Sequence, residues 1–146
     1  MKPEASSNID VIYRPATASD IDFIMSSWKR SWRVSPWAGV IRNDEYYESI
    51  RSTIDGLIAR GAELTVACYV EAQDRILGWI CSEVLQDGLC CIHYIYVKDP
   101  YLGLNIGETL VKQASGRKPG LYTFRYRQVT DACKGWKHAP EVARRK

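Results

Sequence analysis

Apolar and polar positions trade places along this chain in two rhythms, one of period two and one near 3.6. Ile9 to Arg14 alternates, with Ile9, Val11 and Tyr13 on one face, and Pro15 closes the strand. Thr17 and Ser19 each stand three residues before an acid, Asp20 and Asp22, an arrangement suited to a helix N-cap. Ile21, Ile24, Met25 and Trp28 then fall at i, i+3, i+4 and i+7, which predicts an amphipathic helix with one buried face. Ser31 to Arg42 breaks that spacing and reads as a loop holding Trp32, Pro36, Trp37 and Gly39. A second helix starts at Asn43 or Asp44, buries Tyr47, Ile50, Ile54, Leu57 and Ile58, and ends at Gly61.

Three strands follow. Glu63 to Val70 alternates, Gln73-Asp74 turns the chain, and Arg75 to Leu85 runs back. Asp87-Gly88 is a hairpin signal. It leads into Cys90 to Val97, where Cys91, His93, Ile95 and Val97 lie on one face and Cys90, Ile92, Tyr94 and Tyr96 on the other. Both faces are mostly apolar or aromatic, so this strand is central in its sheet. Asp99-Pro100 stops it. Gly103 and Gly107 bracket a tight turn, and Ile106, Leu110, Val111 and Ala114 recur at helical spacing. Such a junction gathers free N–H groups and a positive helix end at one spot, an anion site suited to phosphate or pyrophosphate. Gly116 and Pro119-Gly120 mark a loop before a last strand-like stretch, Leu121 to Arg127, with Tyr122, Phe124 and Tyr126 on one face.

These elements describe an α/β (α+β) chain with a mixed, mostly antiparallel central sheet flanked by helices. A length of 146 residues suits one domain, 1–146, with 1–8 a frayed polar N-terminus. Hydrophobic residues at 46% and charged residues at 25% are ordinary for a globular protein. No apolar run is long enough to span a bilayer, and MKPEASSNID lacks the apolar core of a secretory signal, so a cytoplasmic location is expected. The five cysteines match no zinc spacing, because adjacent Cys90 and Cys91 would point to opposite sheet faces. Buried free thiols in a reducing compartment are the expectation. Charge is lopsided: residues 112–146 hold 10 Lys and Arg against 2 Asp and Glu. That basic C-terminal quarter, which takes in the segment 128–146, suggests an anionic partner (coenzyme phosphates, nucleic acid or an acidic protein surface) or else a solvated tail and face.

The string YVKDPYLGLNIGETLVKQ resembles the acetyl-CoA-binding segment of the GCN5-related N-acetyltransferases, the GNAT superfamily. That segment reads roughly V-x-P-x-[Q/R]-x-x-G-x-[G/A] before a helix. On this chain its turn is Leu102-Gly103-Leu104-Asn105-Ile106-Gly107. The last glycine matches, Leu102 replaces a basic or amide residue, and Asn105 replaces a glycine. Asparagine tolerates the left-handed backbone that such a turn needs. YRPATASDIDFI is similar to the usual opening of the family, and Leu77-Gly78-Trp79-Ile80 to a strand typical of it. The resemblance runs from the first strand to about Arg127 and gives out in the last nineteen residues, too few for the helix and two strands a full GNAT domain has there. The C-terminus is thus abbreviated, or it borrows a strand from a partner, as in a homodimer.

The resemblance implies acetyl transfer from acetyl-CoA to an amine on a small molecule or protein. The cofactor would meet the backbone of Ile95, Tyr96 and Val97 and the turn Leu102, Gly103, Leu104, Asn105, Ile106 and Gly107, with Glu108 next in the helix. His93, which titrates near neutrality when unperturbed, and Glu83 on the neighbouring strand are the candidate bases. The family's acid is often a tyrosine on a helix that is reduced here, which leaves Tyr126, with Tyr122, as the substitute. Trp32 and Trp37 are placed to clamp an acceptor. The rival reading is a GNAT-fold binding module that has lost catalysis and contacts nucleic acid or protein through its basic end.

Overall fold

The computed structural model describes residues 10–33, 43–116, 119–123, 127–139 and 142. Strands β1 (Val11–Pro15), β2 (Glu63–Tyr69), β3 (Ile76–Val84), β4 (Cys90–Val97), β5 (Leu121–Tyr122) and β6 (Lys137–His138) form one sheet in chain order. The first four are antiparallel; β5 joins β4, and β6 joins β5, in parallel. Helices α1 (Ile21–Arg33), α2 (Asn43–Ala59), α3 (Ile106–Ser115) and α4 (Arg127–Ala132) complete a mixed α/β fold. Pro15 lies inside β1 because an edge strand has one side that needs no donor.

The predicted stripe of α1 is the inner one: Ile24 and Trp28 are fully buried, and Ser27 with them. The Trp28 ring stacks on Tyr94 of β4 at 4.6 Å and leans on Trp79 of β3 at 5.3 Å. Ser27 explains its own burial, since Trp79 Nε1 donates to its hydroxyl at 2.8 Å while that hydroxyl bonds back to the Phe23 carbonyl. The helix continues past Ser31 to Arg33 and takes Trp32 out of the expected loop. In α2, Ile54 and Leu57 are buried but Ile58 is exposed, so the stripe is narrower than its spacing suggests. Gly61, at φ 95°, ends that helix as expected.

β4 departs from simple alternation. Tyr94 pairs with Cys81 and Ile92 with Ser82, so two consecutive residues of β3 face three of β4, and His93 is the extra one. Cys81 and Glu83 share a face of β3. Their partners Tyr94 and Cys91 therefore share a face of β4 despite being three apart. The expected grouping of Cys91 with Ile95 and Val97 is thereby corrected: a bulge flips every side chain beyond it.

β5 is also shorter than its pattern. Among the described residues it pairs with β4 at Cys91↔Leu121 and Ile92↔Tyr122, with one further bond from the Thr123 N–H to the Ile92 carbonyl, 3.1 Å. Arg127 opens α4 instead of ending a strand. Residues 124–126, Tyr126 and Phe124 among them, lie outside the described residues.

Candidate functional site

β4 runs on to Val97 while its described pairing with β5 stops at Ile92, five residues earlier. Lys98 donates its N–H to the Leu77 carbonyl across the β3 side, 2.9 Å. By alternation Val97 and Ile95 turn their N–H and C=O groups the other way, toward the β5 side, and the Tyr96 backbone faces β3. The Tyr96 ring meets Phe23 of α1 edge-on at 6.3 Å.

A 3-10 turn, Asp99–Leu104, carries the chain from β4 to α3. Asn105 closes it at φ 60°, the one described non-glycine residue with a positive φ. The N-cap residue Asn105 makes no side-chain capping bond to α3, whose first residues are Ile106, Gly107 and Glu108. The turn is tied down from β2: the Tyr69 and Tyr101 hydroxyls share a hydrogen bond at 2.9 Å, and Arg75 lies over the Tyr69 ring. Leu102 is exposed, and Leu104 packs on the core beneath the turn. Gly107 sits inside α3 against Val97, so Asn105, and neither bracketing glycine, supplies the left-handed step.

At the bulge, polar side chains from four elements form one chain. His93 is fully buried. Its Nε2 lies 2.7 Å from Glu83 Oε1, and its Nδ1 lies 2.9 Å from the Thr123 hydroxyl, just past β5. Arg60, directly after α2, donates through Nη2 to both the Glu83 carboxylate and the Val142 carbonyl, the latter at 2.6 Å. Burial pushes the His93 imidazole below its ordinary range, more than the Glu83 hydrogen bond raises it. A neutral ring beside a carboxylate keeps its proton on Nε2, which leaves Nδ1 to accept the Thr123 O–H. The arrangement is a base with an orienting acid behind it and a hydroxyl in front, suited to moving one proton.

Of the expected site residues, Glu83 and His93 come into contact, Ile95 and Val97 lie on β4 beyond the bulge, and residues 102–108 follow β4 as the turn and the start of α3. Trp32 is in the last turn of α1; Trp37 and Tyr126 lie outside the described residues, as do basic residues Arg117, Lys118, Arg125, Arg144, Arg145 and Lys146. Arg60 and Thr123 escape a sequence reading, since they sit 23 and 30 positions from their partners and carry no local signature. All five cysteines are free and buried, and burial pushes the Cys133 thiol up to about 12. Among the described residues no cluster suited to a metal ion occurs, and no helix is long and apolar enough to cross a membrane.

The model of the acetyltransferase (GNAT) family matches residues 22–124. Solved structures with a similar fold include a putative acetyl transferase from Pyrococcus furiosus, at 20% identity and TM-score 0.61 over 89% of this chain and 95% of that one. PaiA N-acetyltransferase from Thermoplasma acidophilum, in complex with coenzyme A, gives 21% identity and TM-score 0.53, covering 73% of this chain and 70% of that one. A GNAT superfamily phosphinothricin acetyltransferase from Sinorhizobium meliloti, in complex with AcCoA, gives 18% identity and TM-score 0.51, over 73% and 58%. Comparison with curated protein sequences finds no significant match.

Proposed function

The chain belongs to the acetyltransferase (GNAT) family, and on that premise we propose that it is an N-acetyltransferase moving an acetyl group from acetyl-CoA to an amine. The residues present fit the coenzyme. Asn105 already takes the left-handed turn, its side chain does not cap α3, and Leu102 is turned out to solvent. Backbone N–H groups of Leu102 to Glu108 would hold the pyrophosphate, aided by the positive end of α3. Ile95 would pair with the pantetheine arm through its main chain. Bound there, acetyl-CoA supplies an activated acyl carbon as a thioester.

The chain's own task is to take a proton from the acceptor. His93 is the base in this reading, and Glu83 orients it and stabilises the imidazolium it becomes. Arg60 holds Glu83 in place. The observation that carries the reading is the Glu83–His93 contact at the bulge of β4, one residue past the last described pairing with β5. Bound along β4 and the turn after it, the coenzyme would bring its acyl group toward this base. The acceptor's class is left to the test.

Isothermal titration with acetyl-CoA, followed by thiol release against a panel of small amines and N-terminal peptides, tests this. Micromolar binding and amine-dependent thiol release are expected. No binding at sub-millimolar acetyl-CoA overturns it. Turnover unaffected in both His93→Ala and Glu83→Gln removes the assigned base.

A further inference from the structure

We propose that Arg60 is a positioning residue that sets the working state of the base: seated on the Glu83 oxygen that His93 meets, it stops that carboxylate from drawing a proton onto the imidazole. The inference rests on the acetyl-transfer reading and deepens it, since only a neutral imidazole has a lone pair with which to take a proton.

One atom carries the geometry. Glu83 Oε1 lies 2.7 Å from His93 Nε2 and also accepts from Arg60 Nη2. A carboxylate in contact with a histidine favours the imidazolium. Here that charge is already matched, at the same oxygen, by a guanidinium, which keeps its proton in proteins. The side chains of Arg60, Glu83 and His93 keep 17%, 14% and 0% of their surface exposed. So little water reaches them that their charges are only weakly screened.

The chain itself holds the guanidinium there. The same Nη2 donates to the Val142 carbonyl at 2.6 Å. Val142 is fully buried with Cys91 and Ala139, and Cys91 is the β4 residue directly opposite Glu83. The anchor thus comes from beyond residues 22–124, the stretch that the family model matches.

The other titratable groups around the pair are thiols, a phenol and an imidazole. Cys81 on β3 and Cys91 on β4 are buried, and burial pushes the Cys81 thiol upward. Tyr94 of β4 stacks on Trp28 and Trp79. His138 of β6 bonds the Thr123 carbonyl at 3.3 Å, one residue removed from the His93 ring. The direction of the His93 shift agrees with the geometry: burial lowers it most, Glu83 raises it, and the Arg60 charge lowers it again.

Imidazole ¹⁵N spectra across a pH series read the charge of His93 on protein free of coenzyme. In the wild type the ring should be neutral at about pH 7, above the ordinary histidine midpoint. Arg60→Gln should raise the His93 midpoint by about one pH unit, the low end of what a close charge does. Arg60→Lys keeps the charge and should leave the midpoint near that of the wild type. Turnover should follow: the acid limb of kcat/KM moves up by the same amount in Arg60→Gln, and the lost rate returns as the pH is raised. A loss that came from structure alone would not return. A wild-type His93 that is charged at about pH 7 overturns the proposal, and this result needs no variant to fold. So does an unmoved midpoint in Arg60→Gln, or a lysine variant that shifts as far as the glutamine one. A wild type that neither binds acetyl-CoA nor releases thiol overturns the transfer reading instead, and the midpoints still decide what Arg60 does to His93.

Discussion

His93 and His138, the two histidines of the chain, meet at one residue: His93 Nδ1 bonds the Thr123 hydroxyl at 2.9 Å, and His138 Nε2 reaches the Thr123 carbonyl at 3.3 Å. β6 thereby positions the residue that faces the bulge of β4. The His138 ring also leans on Tyr122 at 5.1 Å. His138→Phe keeps that ring contact and loses the hydrogen bond, so it should cost about 1 kcal/mol in urea unfolding. Acetyl-CoA affinity should stay level while turnover falls modestly.

Arg60→Met should be harsher. It leaves the half-buried Glu83 carboxylate without its cation and frees the Val142 carbonyl. Breaking such a pair from one side costs about 3 kcal/mol. The double variant Arg60→Met, Glu83→Gln should be more stable than Arg60→Met alone, since no uncompensated charge remains. Chemical denaturation of the four proteins in this cycle measures the coupling; strict additivity would mean the pair is incidental.

Gly120→Ala tests the joint where β5 meets β4. An added Cβ would stand 2.2 Å from the Cys90 carbonyl oxygen and 3.1 Å from the Trp136 ring. Backbone must move, and overpacking of this kind costs about 2 kcal/mol. Because the shift pushes β5 outward, the His93 ¹⁵N spectrum should change too. Thermal unfolding and that spectrum, read together, check it.

Asn105 predicts a graded response. Glycine at this position should be tolerated in both stability and acetyl-CoA binding. Asn105→Val forces a β-branched residue into φ 60° and should cost on the order of 2 kcal/mol, with weaker acetyl-CoA binding. Titration calorimetry on both variants separates the two outcomes.

Stability should fall with acid in two windows. Hydrogen bonding from Arg14, at 2.7 Å, and from Thr17 holds the Asp20 carboxyl below its usual range. The unfolded chain therefore binds this proton first, and the stabilisation, complete above about pH 4, is lost as pH drops through the lowered folded value. His93 is also depressed, by burial, so unfolding is favoured as pH falls below about 6.5, its ordinary value. Asp20→Asn should flatten the lower window and His93→Gln the upper one, in urea melts across a pH series.

Much of the frame was legible beforehand. Helical spacing marked Ile24 and Trp28 as inward, and a continuous apolar run marked β4 as central. Asp87-Gly88 marked the hairpin, where Gly88 does sit at φ 85°. Asn105 was legible as able to take a left-handed turn from asparagine's chemistry together with the resemblance of its turn to the GNAT segment. These are local properties, set by a few neighbours along the chain. The reach of α1 to Arg33 and the brevity of β5 were not, since each depends on what lies alongside.

The site divides in the same way. Residue type alone made His93 and Glu83 candidates as titratable groups on adjacent strands. That His93 is the extra residue of a bulge came from register, a relation between two strands that neither strand's own pattern contains. The meeting of Arg60, Glu83, His93 and Thr123 came from packing α2, β3, β4 and the end of β5 around one buried point. Local sequence chooses the elements because backbone sterics and side-chain spacing act over a few residues. Which polar groups share a dry interior is decided only when distant elements close on each other and each buried group must find a partner.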